Sequence, residues 1–185
     1  MPKRKNKKRI VLLDTHAIIH RAYHALPEFT GPSGAPTGAL YGLVSMLLKI
    51  ITDLKPDYIA ACYDLPKPTI RHEAYADYKG TRVKTDDALV AQIKESRKIF
   101  DAFAIPTYER EGFEADDLLG TIAEEIKSTT DVIIASGDMD TLQLVDDERV
   151  RVYTLKRGIN DTILYDEKQV LARFGFLPAL IPDWK

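Results

Sequence analysis

Seven carboxylates stand in four short clusters along the chain: Asp14; Asp64; Glu114 with Asp116 and Asp117; and Asp138 with Asp140. Three of these clusters fall where an apolar run stops, since RIVLLD ends in Asp14, YIAACYD in Asp64 and DVIIASGD in Asp138. Such runs read as buried strands, so three strands would deliver acids to one edge of a sheet, the edge at which parallel α/β folds bind ligands. Carboxylates gathered within a few ångströms repel one another unless cations neutralise them. Hard oxygen donors select Mg²⁺ or Mn²⁺ over zinc. Two such ions about 4 Å apart can stabilise both the attacking and the leaving oxygen of an in-line phosphodiester displacement. A helix start favours negative charge and so offers a structural reason for one or two of Glu114, Asp116 and Asp117. It does not account for all three, nor for Asp64 and Asp138.

The stretch from Thr69 to Lys84 supplies the opposite charge. Arg71, His72, Lys79, Arg82 and Lys84 interleave with Tyr75 and Tyr78, a mixture that grips phosphates and lets unpaired bases stack on rings. Taken alone the segment reads as a solvated loop and helix end with two half-buried tyrosines. Beside the acidic clusters, a single-stranded nucleic acid is the better reading. Two other patterns are weaker. His16, His20 and His24 recur every four residues and on one helix could share a face, as a metal site or as cap, surface and core residues. GPSGAPTG holds three glycines but lacks the lysine and spacing of a phosphate-binding loop, which leaves a turn leading into a helix at Pro36. GDMDTL also resembles the aspartyl nucleophile of a small-molecule phosphatase, with no further phosphatase signature beside it.

These residues need a scaffold, and the apolar periodicity supplies one. Residues 9 to 14, 57 to 64, 131 to 136 and 149 to 154 read as strands, and residues 36 to 54, 85 to 104, 114 onward and 166 to 174 as helices. Strands and helices alternate, which predicts an α/β fold with a mainly parallel central sheet, right-handed crossovers and helices on both faces.

Composition bounds the rest. The 185 residues, 45% hydrophobic, can bury one good core. No run of 18 or more apolar residues is present, and no apolar leader, so a cytoplasmic protein without a membrane span is expected. Cys62, the single cysteine, excludes internal disulfides and multi-cysteine zinc sites and lies inside an apolar run. The net charge of −2 conceals an asymmetry, because residues 1–9 carry six cations and the remaining body holds 20 basic against 28 acidic residues. Residues 1–9 read as a disordered basic arm that either solubilises or attracts polyanions, with the folded domain at 10–185.

The chain resembles the N-terminal 5′-nuclease domain of bacterial DNA polymerase I, related to flap endonucleases. VLLDTHAIIHRAYHALP, the G-x-P-T-G-A-L-Y-G-L turn and helix, YDLPKPTIRHEAYADYKGTR, YEREGFEADDLLGTIA and ASGDMDTLQLV carry the likeness from about Ile10 to the last residue. EADD and GDMD in that order and distance are its specific elements. The resemblance implies a three-layer PIN-like (resolvase-like) fold and a divalent-metal-dependent 5′-3′ exonuclease or 5′-flap endonuclease acting on DNA in replication or repair, with Mg²⁺ or Mn²⁺ as two ions per site. It carries the metal role onto Asp14, Asp64, Glu114, Asp116, Asp117, Asp138 and Asp140. It places Arg71, Lys79 and Arg82 at a helical arch that guides a 5′ strand and steadies the scissile phosphate, and makes Tyr23 a candidate stacking platform. In the family, the segment resembling IPDWK continues into G-D-x-S-D-N, with two further metal carboxylates, and a helix-hairpin-helix region. This sequence stops at Lys185, which leaves open a catalytically weakened DNA-binding module served by a separately encoded helix-hairpin-helix or polymerase partner.

Overall fold

The computed structural model describes residues 7–75, 78, 85–147, 149–157 and 161–184. Five strands lie side by side in parallel: β1 (Arg9–Asp14), β2 (Tyr58–Cys62), β3 (Thr107–Tyr108), β4 (Asp131–Ala135) and β5 (Val150–Arg157). A sixth, β6 (Asp161–Tyr165), closes the edge, and the order across the sheet is β3-β2-β1-β4-β5-β6. β6 runs antiparallel to β5. The alternation of strand and helix expected from the sequence therefore fails at this edge, where two strands follow one another directly as a hairpin, a connection only antiparallel partners allow.

Side-chain alternation along β1 sends Val11 and Leu13 to one face and Leu12 to the other, and each face has its own core. On the first face pack α1 (Thr15–Ala25), α2 (Gly38–Leu54) and α4 (Asp87–Ala102), through Ile19, Leu43, Leu47, Ile50 and Phe100. On the second pack α5 (Ala115–Ile126) and α6 (Glu167–Phe174), through Leu119, Ala123 and Val170, together with Leu142 of the 3₁₀ turn Met139–Leu144. Each fully buried Leu or Ile contributes about 1.5–3 kcal/mol, whereas an exposed ion pair contributes under about 1 kcal/mol, so the two cores hold the layers together. α1 and α2 approach so closely that a Cβ on Gly42 would lie 2.4 Å from the Ala22 methyl. Cys62 is fully buried, as its apolar run suggested.

The predicted elements sit within a few residues of the observed ones. α1 and the short helix α3 (Ile70–Ala74) were not predicted as helices. The basic arm also needs correction at its inner end. Lys7 donates to the Ser128 carbonyl, Lys8 pairs with Asp57, and Arg9 opens β1 while its Nε donates to Asp131 at 2.8 Å. These cations meet a carbonyl and two acids at the amino-terminal edge of the sheet, so the folded part begins before residue 10; Met1–Asn6 lie outside the described residues.

The path of the chain decides where a ligand goes. From β1 it proceeds to β2 on one side, and β4, reached later by way of α5, lies on the other side of β1. Neighbouring strands whose connections depart in opposite directions leave a crevice at their carboxyl ends. Asp14 is the last residue of β1, and Asp138 follows β4 by three residues.

Candidate active site

Asp14 is buried and uses both carboxylate oxygens. Oδ1 caps α1 by accepting the Ala17 N–H at 3.1 Å, and Oδ2 accepts the Ser136 hydroxyl at 2.6 Å. Asp64 arrives from the end of β2, where its Oδ1 accepts the Ala115 N–H at 2.7 Å and so caps α5 from outside. Its own N–H donates to His16 Nδ1 at 3.2 Å, which assigns the imidazole proton to Nε2. Asp138 begins the Met139–Leu144 turn, its Oδ1 accepting the Asp140 N–H at 2.9 Å. Asp116 lies in the first turn of α5.

Charge shows that these four acids share a neighbourhood. Burial, followed by the charges of Asp14, Asp138, Asp64 and Glu114, pushes the Asp116 carboxyl up to about 7. Burial likewise raises Asp14 to about 6, against the opposing hydrogen bonds from Ser136 and Ala17, and Asp64 and Asp138 add repulsion. Among the described residues, no three His, Cys, Asp or Glu side chains yet converge as a finished cation cage. The donors are nevertheless all hard oxygens, the donor type that a hard divalent cation takes.

Glu114 and Asp117 behave differently. They form a reciprocal capping box at the start of α5, with the Glu114 N–H donating to Asp117 Oδ2 at 2.9 Å. Arg71 grips Asp117 in a bidentate fork, Nη1 to Oδ2 at 2.8 Å and Nη2 to Oδ1 at 2.6 Å, and stands 3.5 Å from Glu114 Oε2. The Tyr78 hydroxyl donates to the same Glu114 oxygen at 3.1 Å. Arg71, read from the sequence as a phosphate contact, thus faces carboxylates. Together with the backbone bond from Ile70 N–H to Gly112 O, it ties α3 to the start of α5.

Two clefts flank the turn that carries Asp138. A cleft of about 460 Å³ is lined by Arg71, Tyr78, Asp116 and Asp140, and a wider groove of about 760 Å³ by Arg21, Gly137, Met139 and Arg173. Tyr75 is 72% exposed. Tyr23 is half-buried, and its hydroxyl donates at 2.9 Å to Asp86, the cap of α4. Lys79, Arg82 and Lys84 lie outside the described residues.

The three histidines do share α1, but they do not assemble into a site. His16 packs edge-on against Tyr63 and serves Asp64, while His20 and His24 face each other at 6.4 Å between ring centroids. Reading the sequence for chemistry passed over Ser136 and gave His16 no link to Asp64. A serine two residues before an acid at a strand end was the available signal for the first. No sequence signal pairs His16 with Asp64, because the two meet only through the parallel pairing of β1 and β2.

A three-layer α/β domain with acids at the carboxyl edge of a switched parallel sheet is the class that fold and site define. The chain belongs to the family of 5′-3′ exonuclease N-terminal resolvase-like domains, whose model matches residues 9–175. It is 38% identical over 180 residues to DNA polymerase I of Caldicellulosiruptor bescii, covering 96% of this chain and 21% of that protein. DNA polymerase I of Bacillus subtilis is 37% identical, with 97% of this chain and 20% of that protein covered. The chain thus spans about a fifth of the length of these polymerases. Among solved structures, T5 5′-exonuclease with bound zinc ions superposes with a TM-score of 0.70 at 21% identity, over 94% of this chain and 64% of that one. Human GEN1 in complex with Holliday junction DNA gives 0.56 at 11% identity, over 95% and 43%. At such identities the likeness is one of fold. No described helix is long and apolar enough to cross a membrane.

Proposed function

We propose that this chain is a divalent-metal-dependent 5′ nuclease domain that hydrolyses phosphodiester bonds in DNA with a free or flapped 5′ end, in replication or repair. One observation carries the reading: Asp14, Asp64, Asp116 and Asp138, from four separate segments, gather at one crevice, where burial pushes Asp14 up to about 6 and Asp116 up to about 7 and the neighbouring acids add to it. A fold needs no such arrangement, because like charges brought together cost stability, and perturbed acids in a cleft are the mark of a working site. Family membership supports the reaction class. The T5 flap endonuclease of the same fold is known in complex with DNA and metal ions, which supports both partners.

Asp14, Asp64, Asp116 and Asp138 would hold the cations, with Asp140, Glu114 and Asp117 at the rim. Mg²⁺ or Mn²⁺, as a pair, suits this all-oxygen set. Bound there, the ions would supply Lewis acidity and cancel charge at the reacting phosphate. The chain's own residues orient and bind. Ala17, Ser136 and Ala115 fix the carboxylates of Asp14 and Asp64 by hydrogen bonds, and Arg71 braces the segment over the smaller cleft. Lys79, Arg82 and Lys84 would meet phosphates, and Tyr75, Tyr78 and Tyr23 offer rings to unpaired bases.

Incubating the chain with a 5′-labelled flap in Mg²⁺ or Mn²⁺ should release short products that chelation abolishes, and Asp116→Ala or Asp138→Ala should abolish them with the fold intact. Unchanged turnover in either variant removes the assignment. Arg71 already occupies Asp117 and faces Glu114, two of the seven expected ligands, which favours a second reading, a catalytically weakened module that binds flapped DNA and requires a helix-hairpin-helix or polymerase partner. Salt-sensitive flap binding without product in Mn²⁺, with cleavage restored by an added helix-hairpin-helix fragment, would select it.

A further inference from the structure

Ser136 follows β4 directly, is 1% exposed, and lies between two of the acids. Its hydroxyl donates to Asp14 Oδ2 at 2.6 Å and accepts the Asp138 N–H at 2.9 Å. A hydroxyl has one proton, and the backbone N–H claims a lone pair, so that proton is directed at the carboxylate. Little slack surrounds the link. The Ser136 N–H is bound to the Tyr153 carbonyl of β5 at 3.2 Å, and a Cβ on the next residue, Gly137, would lie 3.1 Å from the Ala17 carbonyl of α1. Asp138 then passes the constraint on, accepting the Asp140 N–H on its side chain and the Thr141 hydroxyl, at 2.6 Å, on its carbonyl. One line of hydrogen bonds therefore runs from the start of α1 through Asp14, Ser136 and Asp138 to Asp140, crossing the switch point between β1 and β4.

We propose that Ser136 is a positioning residue: its hydroxyl sets the spacing between the Asp14 carboxylate and the Asp138–Asp140 turn, so that acids on two different strands can close on the same cation. The claim rests on the nuclease reading of the site. A hydroxyl that only satisfied buried polar groups would affect stability alone. One that positions ligands changes cation affinity, and removal of a group orienting a ligand typically weakens metal binding by roughly 10- to 100-fold.

The test compares wild type with Ser136→Ala, using calorimetric Mn²⁺ titration and cleavage of a 5′-flap over a range of Mn²⁺ concentrations. Ser136→Ala should raise the Mn²⁺ dissociation constant and the half-saturating Mn²⁺ by roughly 10- to 100-fold. KM for the flap should stay unchanged, and kcat should recover as Mn²⁺ saturates. Ser136→Thr, which keeps the hydroxyl, should restore affinity. Ser96→Ala, which deletes another fully buried hydroxyl, bonded to Tyr63 and the Ile93 carbonyl of α4, should lower the melting temperature without moving the Mn²⁺ midpoint. If Ser136→Ala fails to fold, Ser136→Cys keeps the volume with a weaker donor and should shift affinity in the same direction. Wild-type Mn²⁺ affinity in the Ala or Cys variant overturns the proposal. A wild-type chain that binds Mn²⁺ without cleaving removes the nuclease reading, and the affinity comparison still decides the role of Ser136. A wild-type chain that binds no Mn²⁺ overturns both.

Discussion

The two ends of the parallel sheet treat the same residue type in opposite ways. At the amino-terminal edge Asp131 sits between Arg9 and Arg151, at 2.8 and 2.6 Å. Burial works to raise this carboxyl, yet the hydrogen bonds from the two arginines hold it below the ordinary aspartate value. At the carboxyl edge burial acts on Asp14 and Asp116 in the same direction, and there other acids add to it. The contrast repeats on a smaller scale along α5. Asp116 and Asp117 are consecutive, but the 100° between successive helical positions turns one toward acids and the other into the fork of Arg71. A buried acid with a cation beside it holds the fold together; one among other acids is a place where the fold gives up stability for a ligand.

Asp116→Ala should separate these roles most sharply. Flap cleavage in Mn²⁺ should fall by at least about 10³-fold, on the scale of a lost electrostatic contribution of several kcal/mol. The melting temperature of the metal-free variant should rise, because a desolvated charge and its repulsion are gone. A fall in melting temperature would show that Asp116 is structural. Asp131→Ala should do the reverse. It removes the carboxylate that two half-buried guanidinium groups share, so stability should drop by about 2 kcal/mol, roughly 4–8 °C in melting temperature, with kcat unaltered.

Arg71→Ala should cost less, about 1–2 kcal/mol by denaturant titration, because its side chain is 37% exposed and solvent screens the pair. A double-mutant cycle with Asp117→Asn should show that most of that cost is shared. A further effect is expected with pH, through the two raised acids. Asp14 and Asp116 bind protons more tightly folded than unfolded, so their contribution to metal-free stability is full near pH 4 and is lost as pH rises through about 6 and about 7. Mn²⁺ competes with those protons, so its affinity should increase over the same interval in calorimetric titrations at pH 5 to 8. A metal-free protein whose stability rises steadily over that range would mean that the acids are already neutralised.

Much of this was legible in the chain alone. Continuous apolar runs in β1, β2 and β4 and the stripes of α2, α4 and α5 are local patterns, and an acid placed where such a run ends is destined for the edge of the sheet. α1 was less legible, since THAIIHRAYHA interrupts its apolar face with three histidines. β6 was hidden because it is five residues long and depends on β5 for its hydrogen bonds. The sequence by itself determined the layers, the sheet and the delivery of acids to one edge, because hydrophobic periodicity acts over a few residues. Only the tertiary structure decided which acids are neutralised and which are left to a ligand. Asp117 meets an arginine 46 positions away and Asp14 a serine 122 positions away, and electrostatic energy depends on distance in space, which no local pattern encodes.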